Sequence, residues 1–289
     1  MKSRTKSKIA AFAIAVVLVA IAAYFAFHEA AERFIDSEKT LITMTTFLSK
    51  DDRLAKTKRA IESILSDPYY NSDRFDFVVI NEYDSGNIAE LEAAYKKDGV
   101  RFIQKGREDK GQARSLNMIL DTIRETGDRF TYWIHWEETW VLKRPPALKE
   151  IISIMRENEK ITQLQLTGDW LDMPVSRVTR LPSKSKSSSV EVRVIKPPPN
   201  VEYKKYEPRD YETSWITDPG WPLYSLRPSI NQASFYRTRG AHLRFPEDDV
   251  LWPIKFEWAF AVDWLAAGAM KAVTSPGMAE RQPNHKSTY

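Results

Sequence analysis

Between Leu41 and Trp136 the chain alternates short apolar runs with stretches whose apolar residues recur at helical spacing, a pattern that few folds accommodate. Leu41–Phe47 reads as a buried strand. Ser49 followed by Asp52 forms a capping-box-like helix start, and Leu54, Ile61, Ile64 and Leu65 mark that helix's apolar face. Phe75–Ile80 is a second strand, Ile88–Lys97 a second helix and Val100–Gln104 a third strand. A third helix begins near Gly111, with Ala113, Leu116, Leu120 and Ile123 on one face, and a tryptophan-rich strand, Tyr132–Trp136, follows. Such alternation predicts an α/β fold, a mostly parallel sheet with helices on both sides.

Ligands in such sheets bind at the carboxyl ends of the strands. That rule gathers Thr45, Thr46 and Phe47, the run Asn81-Glu82-Tyr83-Asp84, and the adjacent acids Glu137 and Glu138 along one rim. The acids follow an apolar strand and lie between Trp136 and Trp140, a place where a cation and the phosphates it carries would find hard oxygen ligands. The plainer alternative is that they cap the strand and face solvent or Lys143 and Arg144. Beyond Pro145 the pattern weakens. Ala147–Glu157 reads as a helix, Ile161–Leu166 as a strand and Ile254–Met270 as a helix carrying Phe256, Phe260 and Trp264. The Lys/Ser- and Pro-rich tract Pro182–Pro208 reads as a mobile loop.

Residues Ile9–Phe27 contain nineteen positions without charge or proline, about the length that crosses ~30 Å of hydrocarbon as a helix. Lys2, Arg4, Lys6 and Lys8 precede this run and Glu29, Glu32, Asp36 and Glu38 follow it. The charge bias predicts a single-pass transmembrane signal anchor with its N-terminus in the cytoplasm and the remaining chain extracytoplasmic or lumenal. The expected divisions are a basic tail at 1–8, the anchor at 9–27, a stem at 28–38 and one domain at 39–289.

The four basic residues before the apolar run account for the whole formal charge of +4, so the remainder is balanced and gives no support to nucleic-acid binding. With no cysteine, disulfides, thiolate metal sites and cysteine nucleophiles are excluded.

Three elements together resemble the inverting, GT-A-type glycosyltransferases of the family-2-like group: the opening strand Leu41–Phe47 with its helix through Arg53, the stretch Lys110-Gly111-Gln112-Ala113-Arg114-Ser115-Leu116-Asn117, which is similar to a Gly-x-Ala-x-x-x-Asn pattern, and His135-Trp136-Glu137-Glu138-Thr139-Trp140 at the place of the acidic Asp-x-Asp-type motif. The resemblance implies a GT-A fold, with a Rossmann-like donor-binding half at 39–140 and an acceptor half at 141–289. It also implies a nucleotide-sugar donor, a glycan or other hydroxyl acceptor, and Mn²⁺ or Mg²⁺ at the leaving diphosphate. The chain departs from the pattern at Thr139, where relatives often place a third acid.

On that resemblance, Thr45, Phe47, Glu82 and Asp84 would hold the nucleotide, Glu137 the donor, and Glu138 with the late His285 the metal. Lys110 and Gly111 stand where a helix N-terminus would face a phosphate, the alternative being a solvated lysine. Asn117 lies inside an apolar stripe, so its buried amide needs partners, in the donor or in a neighbouring loop. Glu257, among Phe256, Trp258 and Phe260, is the expected catalytic base, because apolar surroundings raise a carboxyl toward neutrality; Glu247, Asp248 and Asp249 compete for that role. Trp221 and Tyr224 are candidates for the floor of a sugar site. The reading is a membrane-anchored glycosyltransferase; the alternatives are a catalytically inactive binding or scaffold subunit of the same fold, or an exported nucleotidyltransferase.

Overall fold

The computed structural model describes residues 39–48, 51–83, 85–86, 88–143, 147–168, 178–181, 190–197, 223–247 and 255–283. Residues 39–289 form one compact unit. Its centre is a nine-stranded sheet in the order β3-β2-β1-β4-β9-β6-β10-β8-β7. The first four strands are β1 (Lys39–Thr46), β2 (Phe75–Asn81), β3 (Val100–Gln104) and β4 (Phe130–Glu137). They pair parallel, β1 lying between β2 and β4. The helices that connect them are α1 (Asp51–Leu65), α2 (Ala89–Tyr95) and α3 (Gln112–Glu125). Strand order 3-2-1-4 is the Rossmann-like half of a doubly wound sheet.

The second half departs from the expected mostly parallel sheet. Strands β6 (Gln163–Gln165) and β10 (Lys271–Ser275) pair parallel, but β9 (Ser229–Gln232) runs antiparallel between β4 and β6. Strands β7 (Val178–Leu181) and β8 (Glu191–Ile195) add an antiparallel edge beside β10. The sheet is therefore mixed, since strands that pair antiparallel need no crossover helix between them. Strand β8 also lies inside the tract expected to be a mobile loop: Val192 and Val194 are buried while Glu191 and Arg193 are partly exposed. The small ribbon of β5 (Trp140–Leu142) and β11 (Ala279–Arg281) stands beside the sheet.

Alternate strand residues feed two cores. One face packs Ile42, Met44, Phe77, Val79, Ile134 and Trp136 against Ile61 and Ile64 of α1, Leu91 of α2, and Leu148, Ile151 and Met155 of α4 (Ala147–Glu157). The other packs Leu41, Val78, Ile80 and Trp133 against Leu116, Leu120 and Ile123 of α3. The same layer continues through Tyr236 of α5 (Ala233–Arg237) and Phe260 and Trp264 of α6 (Lys255–Ala266). Each fully buried large side chain contributes about 1.5–3 kcal/mol, so the two cores are what hold the rim in place.

The expectation of a transmembrane helix, and with it the membrane partner and the single-pass topology, is corrected. Among the described residues no helix is long and apolar enough to cross a membrane, and the segment Ile9–Phe27 lies outside them.

Candidate active site

Strand order changes direction between β1 and β4, and the crevice at that switch point is where a doubly wound sheet accepts a ligand. Thr45 of β1 stands opposite Glu137 of β4 and Ile80 of β2. The turn after Glu137 is held from within: the Trp136 indole N–H donates to Trp140 O at 2.9 Å, and the Trp140 indole N–H donates to Glu137 Oε2 at 3.2 Å. Gln282, close to β11, donates its side-chain amide to Glu138 O at 3.0 Å and to Lys56 O at 2.9 Å. The two tryptophans thus fix the acids rather than offering a free aromatic surface, and Thr139 is buried in the turn.

The adjacent acids do not share a site. Successive residues at a strand end point to opposite faces, and each acid finds a different environment. Glu138, nearly inaccessible, pairs with the buried guanidinium of Arg53 from α1. Burial pushes its carboxyl above the usual carboxylate range, while Arg53 and Lys56 pull it down. Glu137 is partly exposed on the other face, and its pKa rises to about 7, chiefly through burial and then through the charges of Glu138 and Glu257.

Glu257, in the first turn of α6 and more than one hundred residues later in the chain, is close enough for its charge to raise Glu137. Its Oε1 accepts the Leu226 backbone N–H at 2.9 Å. Burial raises its pKa to about 7, opposed by that hydrogen bond and by Lys271 and Arg227. Two carboxyl groups from separate halves therefore lie within electrostatic reach of the same arginine, and burial raises both toward neutrality. This combination suits proton transfer at neutral pH.

The remaining expected residues are placed less uniformly. Glu82 lies at the end of β2, but its carboxylate is taken up inside the protein: Oε2 accepts Lys105 Nζ at 2.9 Å and Oε1 accepts the Gly111 N–H at 2.8 Å. The anion at the start of α3 is thus the protein's own Glu82, where a phosphate was expected. Gly111 has φ 101°, which disfavours any residue with a Cβ. Lys110 beside it is exposed. Asn117 is buried on α3 and grips the segment before α6. Its amide nitrogen donates to Phe245 O and its oxygen accepts the Phe245 N–H, each at 2.9 Å, and Glu247 also accepts from it.

Phe47 is exposed at the end of β1. Tyr224 belongs to the aromatic core with Phe245, Phe260 and Trp264. Asp84, His285, Trp221, Asp248 and Asp249 lie outside the described residues.

Among the described residues no group of three or more His, Asp and Glu side chains could hold a metal ion. The described donors do not make a set for the expected Mn²⁺ or Mg²⁺: Glu138 is bonded to a guanidinium on one face of the sheet, while Glu137 lies on the other with Glu257 as the other acid acting on it.

Several further polar residues carry no obvious motif. Lys105 is fully buried and also donates to Gly111 O and Ser115 Oγ, each at 2.8 Å. Burial pulls its ammonium below the usual lysine range, against the pull of Glu82. Lys271 Nζ, also buried, donates to Leu223 O at 2.6 Å. The strand positions Gln163 and Gln165 alternate with Leu164, as Ser229 and Asn231 alternate with Ile230. This period-two polar spacing was the available sign of a polar face within the sheet.

No known family pattern and no curated protein matches the chain. Similar solved structures include S. aureus TarS residues 1–349, with a TM-score of 0.49 and 12% identity over 81% of this chain. The match spans 57% of the TarS chain, so this chain accounts for little more than half of it. CMP:2-keto-3-deoxy-manno-octonic acid synthetase with CTP gives a TM-score of 0.42 at 13% identity, over 85% of this chain and 94% of that one. Mouse xyloside xylosyltransferase 1 gives 0.41 at 10% identity, over 80% of each chain. All three scores fall below one half, so the fold description rests on the strand order and the rim geometry.

Proposed function

We propose that the β1/β4 crevice binds a nucleotide-activated sugar and that the protein is a group transferase acting on it, glycosyl transfer being the finer reading. The observation that carries this is the place of Glu137 at the switch point opposite Thr45, with Glu257 near enough for its charge to act on it and burial raising both carboxyls to about 7. In a single displacement, an acceptor hydroxyl would attack the anomeric carbon as the bond from that carbon to the diphosphate breaks. Glu257 would take the hydroxyl proton, and the nucleoside diphosphate would leave with the bonding electrons. Glu137 would face the donor sugar across Thr45. Because the described donor set does not fit a metal, no step is assigned to one.

A second reading is a nucleotide-binding subunit without turnover. It is favoured by one feature: Glu82 and Asn117, both expected at the donor, have their polar groups occupied within the protein. The test is a panel of nucleotide-sugars incubated with the purified full chain, with binding followed by calorimetry and products by mass spectrometry. Sugar transfer or donor hydrolysis supports the first reading and binding alone the second. Pyrophosphate release from a nucleoside triphosphate and a sugar phosphate would identify nucleotidyl transfer instead. Absence of any nucleotide binding would refute all three.

A further inference from the structure

Arg227 has no place in any expected motif, yet its charge acts on both Glu137 and Glu257. Ser229 of β9 stands opposite His135 of β4 in an antiparallel pairing. Extended two residues beyond the paired segment, that register sets Arg227 level with Glu137. The residue just before it, Leu226, gives its backbone N–H to Glu257 at 2.9 Å, and Arg227's own N–H donates to Ser225 Oγ at 3.3 Å. The loop that fastens Glu257 therefore carries the guanidinium as its next side chain. Pro228 O accepts the Leu166 N–H at 2.8 Å and ties the loop to β6. Arg227 is partly exposed, whereas the four residues before it are buried.

Of the expected metal ligands, Glu138 is taken up by Arg53, and His285 lies outside the described residues. Glu138 is neutralised by Arg53 on the opposite face, and the described residues hold no cluster of three oxygen or nitrogen ligands. A leaving diphosphate still needs positive charge where its bond breaks. A guanidinium supplies it with a planar pair of donors that match phosphate oxygens.

We propose that Arg227 is the cationic ligand of the donor's diphosphate, standing where a divalent ion would otherwise neutralise the leaving group. This rests on the reading of the crevice as a nucleotide-sugar site. The bond between the anomeric carbon and the diphosphate oxygen breaks, the electron pair stays on that oxygen, and Arg227 holds the resulting charge. The same guanidinium holds down the pKa of both Glu137 and Glu257. The groups facing Glu257 are Lys271 from β10, Glu137 from β4 and Arg227 itself, with Tyr224 sensing its charge.

Calorimetry on the full chain, with uridine and guanosine diphosphates and their hexose conjugates, tests this with and without EDTA, using Arg227→Lys and Arg227→Met. Wild-type binding should survive EDTA within about twofold. R227M should lose on the order of 10–100-fold in affinity for the diphosphates, but nothing for the nucleosides, and R227K should recover part of the loss. Where turnover is measurable, the rising limb of the pH profile should move to higher pH in R227M, a shift that a merely structural role would not cause. Loss of wild-type binding in EDTA, or unchanged diphosphate affinity in a folded R227M, overturns the proposal while leaving the nucleotide site intact. Failure of the wild type to bind any nucleotide overturns this proposal together with the reading beneath it.

Discussion

Arg53→Met is the perturbation that most sharply separates a structural Glu138 from a metal-binding one. Arg53 is 3% exposed and Glu138 7% exposed, so neither charge is appreciably solvated. Removing the guanidinium leaves Glu138 with Lys56 as the other cation acting on it, while burial, already the strongest influence on its carboxyl, is unopposed by Arg53. An uncompensated buried charge costs about 3–5 kcal/mol. At about 2–4 °C per kcal/mol for a domain of this size, the midpoint should fall by roughly 10 °C. Changing both partners, Arg53→Met with Glu138→Gln, removes the charge together with its partner and should restore most of the loss.

The pH dependence has a definite sign. In the single variant the folded pKa of Glu138 lies above its unfolded value, so the folded state binds the proton more tightly. Stability then falls as pH rises from the unfolded pKa through the folded one, and the deficit should be smaller at pH 5 than at pH 8. Thermal unfolding by circular dichroism, run as a double-mutant cycle at both pH values, provides the measurement. A loss below about 1 kcal/mol for R53M would mean that Glu138 is solvated and free to hold a cation, and the separation of the two acids would be wrong.

Glu257→Gln should retain nucleotide-sugar binding while losing about 100- to 10,000-fold in transfer rate, read from initial rates at saturating donor. Wild-type kcat/KM should rise with pH through about 7, where Glu257 loses its proton; a flat profile between pH 6 and 8 would remove it as the base. Because Glu137 and Glu257 are raised from ordinary values to about 7, each favours folding with the proton on, and stability should decline by up to ~3 kcal/mol per group as pH rises from about 4.5 to about 7. Urea titrations at pH 5.5 and 8 would detect that decline. Lys105→Met should cost about 1–3 kcal/mol, because it takes the cation from a partly buried Glu82, and adding Glu82→Gln should recover part of it; additive losses in chemical denaturation would show that the two do not act as a pair.

What the sequence made legible follows the length scale of each interaction. The strand Val100–Gln104 and the helix Ala147–Glu157 have the same bounds in sequence and structure, because their apolar spacing is local and uninterrupted. Strand β8 was hidden because Glu191-Val192-Arg193-Val194-Ile195 stands between Lys/Ser and Pro runs whose composition outweighs five alternating residues. The acids were visible as a pair, yet their adjacency was misleading: a strand's period of two separates neighbours, and Arg53 of α1 lies 85 residues away in the chain. Asn117 shows the same limit. Its place in an apolar stripe announced a buried amide, but its partner Phe245 is 128 residues distant. Lys105 and Arg227 gave no signal, since a lysine or arginine near a strand end is normally solvated.

The most direct test of the crevice as a nucleotide-sugar site is calorimetric titration of the full chain with a nucleotide-sugar panel, comparing wild type with Glu137→Gln and Thr45→Val. Saturable binding that weakens about tenfold or more in both variants, with their unfolding midpoints held within a few degrees of wild type, is the predicted result. No binding by the wild type, or binding indifferent to both changes, would contradict it.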